Sequence, residues 1–384
     1  MQTSHMFKNI GRIGIEAYLL FQHHTTLEIL TSARNDFDLF TVTGKGWHFL
    51  KYLGPAVVVV GMDCRSERTP SAVMAGPTYQ GLFPRVAVLP PHVQHCIWMI
   101  PVPLIYPRLD AAEHIANTVA TGKRAVTGTF NALSKVTSSV AGVVGAKGVV
   151  GDGFASVKKA VGKTGLMSNI LSPFGELDIL DELRDQWTHD SKDLERTYLI
   201  RTLQGISFNK SLRMTIFSGS TNTCGAGLVH DPSKPSDHKT MFQVITSSIV
   251  NAPPSPVVLR LLQPSASSGT RPLYVPLNGH RSHPGQASDT KEDPLEIFGQ
   301  DVNGAPRETK RLMGRRNYVA VVAFDPEVVK GAFGQTAVDR DGKGHGRLSL
   351  AVDFMVQGDG MGLGGQGATV KYGPLIIPSL EYGR

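Results

Sequence analysis

Pro55-Ala-Val-Val-Val-Val-Gly61 runs straight into Met62-Asp63-Cys64-Arg65-Ser66-Glu67-Arg68. The first half is short, β-branched and closed by glycine, the pattern of a strand buried on both faces. The second half is polar and charged, as a loop leaving the carboxyl end of that strand would be. Gln94 to Ile100 reads as a second such strand and Arg213 to Gly219 as a third. Phe242 to Val250 fits a fourth strand or a buried helix, and Asn317 to Phe324 and Leu348 to Val356 read as late strands. Helical spacing of apolar residues predicts helices over Phe7 to Gln22, Leu109 to Thr121, Leu177 to Trp187 and Asp193 to Gln204. Strands alternating with helices predict an α/β fold. In such folds ligands collect beyond the carboxyl ends of the strands. That rule singles out 62–68 and Ser218-Gly219-Ser220-Thr221-Asn222.

Composition supports a folded chain. Of 384 residues, 41% are hydrophobic and 18% charged, and 41 glycines and 24 prolines predict many turns. The net charge is +7, yet Lys123, Arg124, Lys135, Lys147, Lys158, Lys159 and Lys163 against the single Asp152 place +6 of it between residues 122 and 163. The rest is nearly neutral and carries no basic patch interleaved with aromatics, so nucleic acid is not an expected partner. The basic stretch, centred on Lys158 and Lys159, has the composition of a segment resting on an anionic membrane surface, or of a surface insertion. Three widely spaced cysteines, Cys64, Cys96 and Cys224, suit a reducing, intracellular and cytoplasmic setting. No apolar run is long enough to span a bilayer.

Several segments, taken together and in order, resemble the PhoD-like phosphatase family, especially its fungal branch. Arg12-Ile-Gly-Ile-Glu-Ala-Tyr18 with Gln22-His23-His24 is similar to the family's helix after its first metal motif. Asp63-Cys-Arg65-Ser-Glu-Arg68 resembles its D-x-R-x-x-R strand end, and Asp185-Gln-Trp187 with Glu195-Arg196 its D-x-W…ER helix pair. Arg213 to Asn222 resembles the strand entering the G-D-x-H/N metal motif, and Gly314-Arg-Arg-Asn317-Tyr318 a late strand. The resemblance implies a metallophosphoesterase-like sandwich of mixed sheets flanked by helices, here lacking its N-terminal strands. It spans 1–330, with a basic insertion at 122–165 and a Ser/Pro-rich loop at 264–292, followed by a glycine-rich extension at 331–384.

The same resemblance implies metal-dependent hydrolysis of phosphomonoesters or phosphodiesters. It places Asp63, Arg65 and Arg68 at the catalytic centre, Asp185, Trp187 and Arg196 at the substrate, and Asn222 and Ser220 at the metal loop. The implied cofactor is divalent metal ions in an active enzyme, and none otherwise. Two departures weigh against activity. The W-D-D-H-D/E type motif expected before the first helix is missing, and Ser220 stands where the family carries aspartate. Carboxylates supply both ligands and compensating charge to paired hard cations, and a neutral serine supplies neither. Impaired hydrolysis is therefore the expectation. The alternative is a non-catalytic pseudophosphatase binding a phospho-ligand, an anionic membrane or a protein partner. His23-His24, Cys224 and the His280/His283 pair are weaker candidate ligands.

Overall fold

A computed structural model describes residues 4–32, 39–105, 187–219, 223–250, 290–326, 347–361 and 367–380, with isolated positions 253, 259 and 271–272. The helices expected over 109–121 and most of 177–187, with Asp185, Lys158, Lys159, Ser220, Asn222, His280 and His283, lie outside these residues.

The fold is mixed α/β with few helices, a large mixed sheet and a second, antiparallel sheet. Helices α1 (His5–Gln22) and α2 (Leu27–Ser32) come first. They are followed by β1 (Leu39–Phe40), β2 (His48–Tyr52), β3 (Val57–Gly61), α3 (Gly76–Ala87) and β4 (His95–Ile100). Then come α4 (Asp193–Lys210), β5 (Arg213–Ser218), β6 (Cys224–His230), β7 (Met241–Ile245), β8 (Arg271–Pro272), β9 (Lys291–Pro294) and β10 (Leu312–Met313). The strands of the large sheet run in the order β1-β2-β3-β4-β5-β7-β6-β9-β8, with β10 also paired to β6. Its centre, β3-β4-β5-β7, is parallel, and the flanking pairs are antiparallel. The second sheet is β11 (Asn317–Phe324), β12 (Ser349–Met361) and β13 (Gly367–Pro378).

Strand period fixes the layers. Val58, Val60, Cys96, Trp98, Met214 and Ile216 face α3 and α4, meeting Leu82, Val86, Leu199 and Leu203. Val57, Val59, Ile97 and Val244 face the other way and pack against Leu350, Val352, Phe354 and Val356 of β12. All five residues of β3 are therefore buried, as an uninterrupted valine run requires. Residues 349–378, expected as a C-terminal extension, supply two of the three strands of this second layer. The divide anticipated after 330 runs between the paired strands β11 and β12.

Helix α1 extends over the expected span, but its stripe of Ile10, Ile13, Leu20 and Phe21 faces outward, and only Leu19 is buried. It ends at His23 and His24 in the way a glycine usually ends a helix. His24 takes φ +52°, and the Thr25 amide closes back on the Leu19 carbonyl. Helix α3 has a composition that hides it, with two glycines and two prolines in twelve residues. Its N-cap, Ala75, has no side-chain acceptor, and Glu67 serves from outside by accepting from the Ala75 amide at 2.9 Å and from Thr78 Oγ1.

Candidate functional site

The carboxyl ends of β3, β4, β5 and β7 open into a cleft of about 1020 Å³ between the two sheets. Its floor is Val57, Val59, Ile97 and Phe217, its far wall is Val319, Val321 and Ala323 of β11, and α1 closes one side with Ile15 and Tyr18. The polar groups sit along the rim: Asp63, Ser218, Thr246, Ser247 and Asn317. Gly61 ends β3 there because a Cβ would overlap the ring of Phe49, which also lines the cleft.

Asp63 builds the loop that follows β3. Its Oδ1 accepts from the amides of Arg65 (2.9 Å) and Ser66 (3.0 Å), and its Oδ2 from Ser66 Oγ (2.6 Å) and the Trp47 amide (3.3 Å). Burial would raise this carboxyl, but the hydrogen bonds from Ser66, Arg65 and Trp47 outweigh it and hold Asp63 ionised to below its ordinary range. Its own amide donates to Nδ1 of the buried His48. Burial lowers the His48 pKa, against the opposing charges of Glu67 and Asp63, so the ring stays neutral and able to accept. Arg65 is exposed at the loop tip and Arg68 is half-buried behind it.

Asn317 joins the two sheets across the rim. Its Oδ1 accepts from Thr246 Oγ1 (2.9 Å) and the Ser247 amide (3.0 Å), and its Nδ2 donates to Ser247 Oγ (2.8 Å) and the Arg315 carbonyl (2.7 Å). Sequence reasoning placed Asn317 only as a strand start. An asparagine opening an otherwise apolar strand was the signal available.

Two of the expected substrate residues, Trp187 and Arg196, lie away from the cleft. Trp187 is 0% exposed, packed in the core under α3 and α4 on the side of the large sheet away from the cleft, and sits in a turn rather than a helix. Arg196 is 1% exposed. It donates to the carbonyls of Leu104 (2.5 Å) and Ile105 (3.3 Å) and pairs with Glu292, anchoring the segment after β4. Its neighbour Glu195 accepts from the amides of Val73 (2.7 Å) and Met74 (2.9 Å) and from Tyr79 Oη (2.5 Å), holding α3 against α4. The Glu195-Arg196 dipeptide thus makes two structural anchors, and neither side chain lines the cleft. Cys224, read as part of a metal loop, opens β6 fully buried, and burial pushes its thiol up to about 12, which makes it a packing residue.

Among the described residues no three His, Cys, Asp or Glu side chains converge to hold a metal ion. The rim donors do not fit a pair of hard cations either. Asp63 has both oxygens engaged by its own loop and the Trp47 amide, and Asn317 and the hydroxyls bring no charge.

The chain belongs to the PhoD related phosphatase family, whose model matches residues 1–384. It is similar to the uncharacterized protein YGR266W of Saccharomyces cerevisiae, at 24% identity over 362 residues, a match covering 83% of this chain and 44% of that protein. The chain therefore spans less than half the length of this relative. No solved structure matches it. No helix among the described residues is long and apolar enough to cross a membrane.

Proposed function

We propose that the chain is a phosphate-ester-binding member of the fungal branch of its family, and that its hydrolysis of phosphomonoesters or phosphodiesters is impaired. The cleft at the carboxyl ends of the parallel strands receives the ester. Arg65, at the loop tip beside it, meets the phosphoryl oxygens with its planar fork. The fold reading that goes with this is a metallophosphoesterase-like sandwich, supported by the two packed sheets and the helices on one outer face.

The observation that carries the reading is the state of Asp63. A carboxylate that accepts three hydrogen bonds from its own loop and a fourth from the Trp47 amide shapes the site and has no lone pair left for a cation. Ser220 in place of an aspartate points the same way. Divalent metal ions, where a family member binds them, would supply a Lewis acid and an activated water. The described donors of this chain do not fit such ions.

The test pairs two measurements on the purified chain. Metal content should stay well below one ion per chain, with negligible turnover of p-nitrophenyl phosphate and bis-p-nitrophenyl phosphate. Inorganic phosphate or vanadate should still bind, and Arg65→Ala should weaken that binding. Stoichiometric metal with robust turnover would overturn the impairment. Phosphate or vanadate binding that Arg65→Ala leaves untouched would overturn the placement of the ester. The apolar walls of the cleft favour an ester with a hydrophobic leaving group, so an aryl ester should compete better than free phosphate. Contact of Lys158 and Lys159 with an anionic lipid headgroup is a separate proposal, resting on composition.

A further inference from the structure

Polarity along the cleft is graded in the same direction on both of its walls. On the large sheet the cleft-facing residues of β3 are Val57, Val59 and Gly61, followed by Asp63 just beyond the strand. On the second sheet those of β11, taken from its far end, are Ala323, Val321 and Val319, followed by Asn317. Both series end in a polar residue at the rim, and both are aliphatic in the other direction, toward Leu350 opposite Ala323. Asp63 is the one charged side chain among the described residues that line the cleft, and its oxygens are already engaged. Val59 lines the deep part yet is only 6% exposed, so that part is a narrow slot.

This grading decides what the deep part accepts. A sugar, a base or a peptide placed there would leave its polar groups without partners. A hydrocarbon chain has none to satisfy and gains from leaving water. The rim offers the converse. Ser218 Oγ accepts from Gln243 Nε2 (3.3 Å) and Ser247 Oγ from Asn317 Nδ2 (2.8 Å), which leaves each hydroxyl proton to donate to an anion. We infer that the cleft takes a phosphate ester of a single long alkyl or acyl chain, with its phosphoryl group on the rim and its chain laid between β3 and β11. The inference rests on the phosphoester reading and names its substrate class. A flexible chain follows the slot further than a rigid ring does. Leu53, whose amide donates to the Val57 carbonyl, lines the cleft and is 65% exposed, so the apolar end has a way out for a longer tail.

Calorimetric titration of the full chain with butyl, octyl and dodecyl phosphate, each below its micelle concentration, tests it. Every methylene buried should tighten binding roughly three- to fourfold, so octyl phosphate should bind on the order of a hundredfold more tightly than butyl phosphate. Val321→Asp puts a carboxylate on the far wall and should weaken dodecyl phosphate roughly tenfold or more while inorganic phosphate binds as before. Val321→Leu, which keeps the wall apolar, should retain the chain-length dependence. Circular dichroism and thermal melting check that Val321→Asp is folded. Affinity that stays flat from butyl to dodecyl would overturn the chain site and leave the phosphoester reading standing, as would a dependence that Val321→Asp does not touch. Octanol binding as tightly as octyl phosphate would instead overturn the phosphoryl end of the assignment, and with it the reading on which it rests. Dodecyl phosphate offered in phosphatidylcholine vesicles identifies the source. Protein that strips the ester from the vesicles takes it from a bilayer, and protein that binds the monomer alone takes it from solution.

Discussion

The two ends of the sandwich are built in opposite ways. At the amino ends of the parallel strands the sheets are stitched together. Arg213 of β5 donates to four carbonyls, those of Ser236, Asp237, Thr240 and, on the second sheet, Pro378. His95 of β4 and Gln94 before it bind the Leu348 carbonyl and amide ahead of β12, each at 2.8 Å. At the carboxyl ends, among the described residues, the Asn317 bridge alone crosses, and the sheets part around the cleft. A sandwich closed at one end by buried polar groups can leave the other end open without losing its register. The comparison separates residues that hold the fold from residues that face a ligand, and substitutions at the two ends should differ accordingly.

The largest effect belongs to the stitched end. Arg213 is 1% exposed, and burial pulls its pKa down to about 10, which still leaves it a cation at neutral pH. Arg213→Met keeps most of the volume but strands buried carbonyls, and should cost roughly 3 kcal/mol or more by urea denaturation. A loss comparable to that of an exposed substitution would mean the stitching is not what closes this end.

His95 adds a pH signature to the same end. Burial drives its pKa down to about 4, partly opposed by the Leu348 carbonyl and reinforced by the Arg213 charge. The folded state therefore binds a proton less readily than the unfolded chain. Stability is fully present above pH 6.5 and falls as the pH drops toward about 4. Between pH 7 and pH 5 the loss from this one group should be about 2 kcal/mol. His95→Gln should flatten that interval, and a slope unchanged by the substitution would remove His95 as its source.

The open end responds through Asp63. Asp63→Asn keeps an acceptor for the Arg65 and Ser66 amides but turns the other oxygen into a donor, so the Trp47 amide loses its acceptor and the Ser66 hydroxyl keeps a bond only by reversing to accept. The expected cost is about 1–2 kcal/mol at neutral pH. Because the folded pKa lies below the usual carboxylate value, the stabilisation is present above that value and is lost as the pH falls through the depressed one. Phosphate binding should weaken along with stability, since the loop presents Arg65. A variant that loses turnover and metal while its melting temperature is unmoved would make Asp63 a ligand rather than a loop builder.

How far the sequence could be read follows the same division. The valine run of β3, the alternation in β4, β5 and β11, and the period of α4 state the elements directly, because burial on both faces or on one stripe leaves a pattern. The strand reading of 242–250 is realised as Met241–Ile245. Three features left no such pattern. The composition of α3 argues against a helix, and the amides leading into it are taken up from outside, those of Val73 and Met74 by Glu195 of α4 and that of Ala75 by Glu67. Trp187 and Arg196 carry the residue types of a ligand site, yet they are spent in the core. Whether a charged side chain serves the fold or a ligand depends on which face of the sheet it meets, and that is set by contacts such as Arg196 with Glu292, 96 residues apart. The cleft itself is a space between two sheets, and no local stretch encodes a space.

The smallest effect should come from the wall of that space. Val321 points toward the cleft from β11 and is 39% exposed. Val321→Thr conserves shape and β-branching while adding a hydroxyl that water in an open cleft can satisfy. In the isolated chain it should shift stability by no more than about 0.5 kcal/mol. The equivalent change at Val58, sealed on the helix-covered face, should cost several times more, because a buried hydroxyl loses its water partners. Repeating the Val321→Thr measurement with an aryl phosphate ester bound sharpens the contrast. If the hydrophobic part of the ester lies on β11, affinity should fall although the empty protein hardly notices the substitution. An affinity that does not move would put the ester against the rim alone, with the far wall of the cleft uninvolved.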